Sequence, residues 1–251
     1  MSEERRPFDG LAQDYDRARP RYPEAAFRRL VSLLPERAVA VADAGAGTGI
    51  ALEGLLPLLS ADSTVDAVDI SNDMVAVGRA KFPKVNWAVE PVEPWLAGRD
   101  NLDLVIAAQA YQWMDRPSFV TNAGSALSSR QGVLAVLQNN RNYSIPGLAA
   151  DYEDLLEEFS PGYRRDYRAI DVATETAPIA ATQQQFRFEW VDVMPGASFE
   201  TMSRSSTQAQ RAIERTGGEF IQHVKDLTQA AERNGEIRLN YVTELFITKV
   251  R

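Results

Sequence analysis

From residue 23 to about residue 140, short apolar runs alternate with stretches whose apolar residues recur at helical spacing. In "PEAAFRRLVSLL", Phe27, Leu30, Val31 and Leu34 share a helical face, and Pro23 suits the first turn. "AVAVADAG" reads as a buried strand, followed by a helix in "GIALEGLLPLL". "STVDAVDIS" is a second strand, and Ser71 can cap the helix that begins near "NDMVAVGRA". "VNWAV" is a short third strand; "LDLVIAAQA", almost wholly apolar, suits a strand covered on both faces. A helix in "PSFVTNAGSALSS" and a fifth strand in "GVLAVLQN" complete the alternation. Strand and helix in turn at this pitch predict βαβ units and a parallel, doubly wound α/β sheet.

After residue 140 the rhythm changes. "GLAADYEDLLEEF" places Leu148, Tyr152, Leu155, Leu156 and Phe159 on one helical face, with "EDLLEE" as a solvated face. "QFRFEWVDV" reads as a strand, "EFIQHVKDLTQAAER" as a helix, and "IRLNYVTELFITKV" as a long closing strand. Two late strands joined by helices predict an antiparallel edge on the parallel sheet. The expectation is a single domain over residues 1–251, with an N-terminal arm over 1–22 and lid or substrate segments at about 140–185 and 195–235.

Composition narrows the chemistry. The chain has 251 residues, of which 27 are basic and 35 acidic, for a net charge of −8. That balance lacks the basic footprint of a nucleic-acid binder. There is no cysteine and one histidine, so thiolate metal sites, a His-based zinc site and a Ser-His-Asp triad are disfavoured, and no metal is expected. No apolar run approaches the ~20 residues of a membrane span, and "MSEERRPFDG" has no signal-like apolar stretch, which leads us to expect a cytoplasmic protein. The predominance of Arg over Lys suggests a GC-rich bacterial genome. A small-molecule substrate is expected, with a monomer or homodimer, and a protein partner as an open option.

The densest chemical signal is "DAGAGTG" in the first βα turn, where open α/β sheets bind their ligands. Gly45, Gly47 and Gly49 are spaced G-x-G-x-G, not the G-x-G-x-x-G of a dinucleotide site. Asp43 stands at its entrance. A carboxylate there would repel a pyrophosphate; unit charges ~4 Å apart at an effective dielectric near 20 are worth about 4 kcal/mol. The same carboxylate attracts an ammonium or a sulfonium, and S-adenosylmethionine carries both. Asp69, twenty residues after Gly49, is placed to accept both hydroxyl protons of a ribose.

On these residues the sequence resembles the class I S-adenosylmethionine-dependent methyltransferases, and within them the small-molecule group with an N-terminal Y-x-x-x-R-P-x-Y-P arm. The arm stands here as "YDRARPRYP", with the glycine motif "DAGAGTG", the ribose acid in "AVDIS" and the fourth-strand motif "AAQAYQWMD". The resemblance implies a Rossmann-like seven-stranded sheet with the last strand antiparallel and a helical lid insertion. It implies cofactor contacts at Asp43, Gly45, Gly47, Asp69, Ala108 and Gln109, with Ile70 and Met74 flanking the adenine. Tyr15 would approach the methionine end of the cofactor and Arg19 would pair with its carboxylate.

The family pattern commonly has a histidine where Gln112 stands and a Trp-Asn pair where Gln138 and Asn139 stand, and Glu90 and Pro91 are unusual. A glutamine orients a substrate but is no general base near neutral pH. Methyl transfer draws much of its rate from alignment, so methylation survives this change. The bet then moves to an acidic nucleophile, an amine that is already neutral, or a base elsewhere. Tyr15, Tyr111 and Gln112 are the catalytic candidates; Tyr22, Gln112, Trp113 and Asn139 are the substrate-binding candidates. His223 and "YRRDYR" at 163–168 read as structural and surface features. The expected activity is methyl transfer from S-adenosylmethionine to a small molecule, with specialised-metabolite biosynthesis as a setting. The alternative is an enzyme of the same fold that catalyses a cyclisation, elimination or hydrolysis, and a third option is a non-catalytic partner subunit.

Overall fold

The computed structural model describes residues 12–167 and 169–251. The strands are β1 (Ala40–Ala44), β2 (Thr64–Asp69), β3 (Asn86–Val89), β4 (Leu104–Ala108), β5 (Val133–Arg141), β6 (Ala180–Pro195) and β7 (Glu236–Val250). They form one seven-stranded sheet in the order β3-β2-β1-β4-β5-β7-β6. β3, β2, β1, β4 and β5 are parallel neighbours, with Asp43 opposite Ala67 on β2 and Ile106 on β4. β7 runs antiparallel to β5: Asn142 N–H donates to the Asn240 carbonyl, and ten residues further along β7 Val250 N–H donates to Gly132. Strand order reverses between β1 and β4, so the carboxyl ends of those strands flank the switch point.

The chain divides into two compact units. The larger comprises residues 21–139, 170–188 and 243–251. Its helices are α2 (Glu24–Val31), α3 (Ile50–Leu55), α4 (Asn72–Lys81), α5 (Val92–Ala97), α6 (Arg116–Ser128) and α8 (Val172–Thr176). Alternation along each apolar strand feeds two separate cores. Val41, Leu104, Ile106, Val133, Ala135 and Leu137 face a core with Phe27, Leu30 and Leu52. Ala42, Ala44, Val105, Ala107, Leu134 and Val136 face the opposite core with Trp95, Phe119 and Leu127. Burial on both faces is why these strands carry no polar alternation.

The smaller unit comprises 140–169 and 189–242 together with the described residues of the arm up to Pro20. It contains α1 (Ala12–Ala18), α7 (Leu148–Phe159), α9 (Gly196–Arg204), α10 (Thr207–Thr216) and α11 (Gly218–Ala231). The helical face expected at Leu148, Tyr152, Leu156 and Phe159 forms its core with Phe199, Phe220 and Ile237. The segment expected as lid to about residue 185 ends earlier: Ile170, Val172 and Ile179 pack into the larger unit's core, which claims 170–188. The short helices α5 and α8 were not expected, being too brief to show a helical period. Among the described residues no helix is long and apolar enough to cross a membrane.

At the opposite ends of β1 and β4, Asp103 is 2% exposed. It accepts the Arg37 guanidinium at 2.7 Å, Arg130 at 3.0 Å and the Ala40 N–H at 2.8 Å. Burial pushes its pKa up, but the Arg37 and Ala40 bonds and the Arg130 charge outweigh this and hold it below the ordinary value. Its stabilising contribution is therefore present above the unfolded value and is lost as pH falls through the lower folded value. Asp103→Ala is expected to cost about 2 kcal/mol in urea unfolding near neutral pH, with the deficit vanishing in acid.

Candidate functional site

The loop after β1 is shaped by backbone signs. Gly45, Gly47 and Gly49 all have positive φ, +70°, +56° and +78°. At Gly45 a Cβ would lie 2.5 Å from the Ala110 Cβ, so the loop touches the turn after β4. At Gly47 a Cβ would meet nothing within 4 Å, which leaves this backbone open to an approaching ligand.

Two carboxylates govern the loop. Asp69, at the end of β2, accepts Gly47 N–H at 2.8 Å and Ser71 N–H at 2.9 Å. Burial pushes its pKa above the ordinary value, and bonds from Ser71, Gly47 and Ile70 pull partly back. The residue expected to meet a ribose thus also ties the loop to β2. Each carboxylate oxygen has two acceptor sites, so capacity remains for a hydroxyl. Asp43 is 1% exposed, and its Oδ2 has no hydrogen-bond partner among the described residues. Burial first, and the Asp69 charge second, push its pKa up to about 7. A buried carboxylate oxygen left unmatched is costly unless a ligand matches it.

Ser71 caps α4, its hydroxyl accepting Met74 N–H, as the sequence predicts. Ile70, 47% exposed, offers an apolar face just past β2, whereas Met74 is buried. At the end of β4, Ala108 is half-buried and Gln109 takes φ +55°, a conformation rare outside glycine. Gln109 Nε2 donates to the Asn139 carbonyl, and Gln112 Nε2 donates to the Gln109 carbonyl at 2.9 Å. Gln109 Oε1, Gln112 Oε1 and, on β5, Gln138 Nε2 are buried without partners among the described residues. This cluster of amides is invisible to any single motif. The missing histidine and the unusual Gln138 were its only sequence signals.

Burial and contacts place the remaining candidates. Tyr111, expected as catalytic, is a fully buried core residue. Its hydroxyl donates to Glu175 at 2.7 Å, its ring meets Phe119 edge-on at 5.8 Å, and burial raises its pKa further. Asn139, expected to bind substrate, accepts Thr243 Oγ1 at 2.9 Å and so ties β5 to β7. Tyr22 packs edge-on against Phe27 at 5.8 Å. Trp113 is 55% exposed.

In the smaller unit, the Arg19 guanidinium lies 4.7 Å over the Tyr15 ring. His223 packs on Phe159 at 5.1 Å, in keeping with a structural role. "EDLLEE" is not wholly solvated: Glu153 is buried, paired with Arg141 at 2.6 Å and accepting Tyr163 Oη–H at 2.5 Å. Burial pushes the Arg141 guanidinium down, but Glu153 together with Tyr152, Tyr241 and Tyr163 outweighs this and holds its pKa above the ordinary value. In "YRRDYR", Arg164 pairs with Asp166, and Arg165 with Asp154 and Glu157, so the patch is neutralised; its last residue and the arm's first eleven lie outside the described residues.

Residues 41–129, from β1 through the end of α6, match the family model described as a methyltransferase domain. The match takes in the glycine loop, the end of β2 and the turn after β4. Uncharacterised methyltransferases of Mycobacterium bovis and Mycobacterium tuberculosis are 32% identical over 135 residues, 54% of this chain and 53% of theirs. The chain thus spans about half the length of these curated relatives. A structure from Anaeromyxobacter dehalogenans assigned to the type II methyltransferases shares the fold at TM-score 0.67 and 24% identity, covering 92% of this chain and 96% of that one. A phosphoethanolamine N-methyltransferase of Haemonchus contortus, complexed with S-adenosylhomocysteine, shares it at TM-score 0.50 and 12% identity, over 90% of this chain and 53% of that one. The matched segment begins at the glycine loop's strand and ends beyond the turn after β4, so it contains Asp43, Asp69, Gln109 and Gln112, while Gln138 lies past its end.

The two open-loop glycines separate strain from clash. Gly47→Ala is expected to lower stability by about 1 kcal/mol through its left-handed backbone alone. Gly45→Ala adds the Ala110 clash and is expected to cost clearly more; thermal unfolding of the two variants side by side measures the difference.

Proposed function

We propose that the protein is an S-adenosylmethionine-dependent methyltransferase acting on a small-molecule acceptor. The observation that carries this reading is Asp43: a desolvated carboxylate oxygen without a partner among the described residues, beside a loop whose backbone is open at Gly47. The residues present suit a cationic nucleoside. Asp43 would face its positive charge, Asp69 and Gly47 its ribose, and Ile70 its base. A phosphate would meet an acid in place of a ring of free N–H groups. When bound, the cofactor supplies an electrophilic methyl on a sulfonium leaving group.

The chain's own work is then positional. The Asp69 bonds to Gly47 and Ser71 fix the loop before any ligand arrives. Gly45 against Ala110 sets the spacing between loop and acceptor side. Preorganisation of this kind lowers the entropic part of a displacement barrier, worth roughly 7–11 kcal/mol in the best cases. Tyr15 and Arg19, on and just after α1, are assigned to the cofactor's amino-acid end on the strength of the arm motif alone.

Calorimetric titration tests the reading. S-adenosylmethionine and S-adenosylhomocysteine are expected to bind, and Asp43→Asn to weaken the former about 10- to 100-fold. Tight binding of a dinucleotide with no binding of either nucleoside would refute it. Affinity for S-adenosylmethionine is expected to rise from about pH 5.5 to about 7.5 as Asp43 ionises, and this slope should be absent in Asp43→Asn. The stability effect has the opposite sign. A folded pKa of about 7 against 3.8 unfolded means that the folded state keeps a proton the unfolded state has released. Ligand-free stability therefore falls as pH rises through that window, and Asp43→Asn is expected to remove that fall in denaturant titrations.

A further inference from the structure

We infer that the turn after β4 is built to hold the N–H groups of a neutral primary amine, so that the methyl is delivered to nitrogen. The inference rests on the cofactor reading above and names the acceptor class for the same site.

Gln109 and Gln112 each have the nitrogen end of the amide engaged, on the Asn139 and Gln109 carbonyls respectively. Those bonds decide which end of each amide is oxygen. Both oxygens are then left buried and unmatched, fixed in orientation before any substrate arrives. The support beneath them is rigid. Gln109 is held at φ +55°, and Asn139, whose carbonyl anchors it, is itself held by Thr243. The turn also abuts the glycine loop through Ala110 and Gly45, which puts it beside the bound nucleoside. Gln138, 2% exposed, adds an unmatched amide nitrogen, a donor for an oxygen elsewhere on the acceptor.

Two fixed acceptor oxygens call for a reacting group with two hydrogens to donate. A carboxylate brings none and would set its oxyanion against amide oxygens. A hydroxyl brings one, which it must then surrender, and none of these four amide side chains takes up a proton near neutral pH. A free-base primary amine donates both N–H groups and keeps its lone pair. That pair forms the new N–C bond as the methyl's C–S bond breaks with its electrons going to sulfur. The products are a neutral thioether and an N-methylammonium, which passes its extra proton to water after release.

Sinefungin probes the two acceptor oxygens, since an amino group, protonated near neutral pH and a donor of N–H bonds, stands where the transferable methyl would be, whereas S-adenosylhomocysteine has nothing there. Titration calorimetry on the full chain is expected to give a Kd for sinefungin at least about 10-fold below that for S-adenosylhomocysteine. Gln112→Leu should bring the two constants within about twofold of each other, and Gln112→Glu, which keeps an acceptor oxygen, should restore the gap. Circular dichroism checks that each variant is folded, with Gln112→Ala replacing the leucine variant if it is not. Equal affinities in the unaltered protein, or a gap that persists in the variant lacking the oxygen, would overturn the inference while leaving the cofactor reading intact. A product carrying labelled methyl on oxygen or carbon would do the same. Failure of both nucleosides to bind would instead overturn the cofactor reading.

Discussion

The carboxylate of Asp69 holds the site together. Its two oxygens clamp the Gly47 and Ser71 amides, and so join the glycine loop to the start of α4 at the end of β2. Without that clamp, three successive left-handed glycines would have many conformations and little reason to prefer one. With it, the loop is closed against Ala110 on one side and open at Gly47 on the other. Asp43 can then sit behind the loop in a place water does not reach, and that burial gives its charge consequence.

The two acids divide the labour by environment. Asp69 is paid back for its burial by backbone N–H groups, whereas Asp43 has an oxygen with no such compensation and suffers its neighbour's charge as well. Two like residues, one on each of two adjacent parallel strands, thus differ: one is matched by backbone N–H groups and the other keeps an unmatched oxygen among the described residues. Gln109 and Gln112, in the turn after β4, repeat the theme without charge: the amide nitrogen is anchored to a main-chain carbonyl and the oxygen is left unmatched among the described residues. Each unmatched buried polar atom costs stability, which the two apolar cores of the larger unit offset.

Much of this was legible in the sequence because it is local. Strands such as "LDLVIAA" declare burial on both faces, Ser71 declares a cap, and the glycine spacing declares a tight loop after β1. What stayed hidden depends on pairing across distance. Tyr111 looked like a site residue until Glu175, 64 positions away, accounted for its hydroxyl. Glu153 looked solvated until Arg141 was found beside it. Asn139 looked like a substrate ligand until Thr243 claimed it, 104 positions on. Nothing in the period of a helix tells which of its carboxylates has a distant partner.

The smaller unit is assembled from separated pieces of chain, and its share of the long strand β7 ends at Val242, while the final nine residues return to the larger unit. During synthesis, β1 to β5 can pair as soon as each emerges, because every crossover is short. The helical unit must wait for the chain's last quarter to supply α9 to α11 and β7. Until then the apolar face of α7 lacks Phe199, Phe220 and Ile237, the residues that cover it in the finished unit, and a nascent chain in that state exposes surface prone to aggregation.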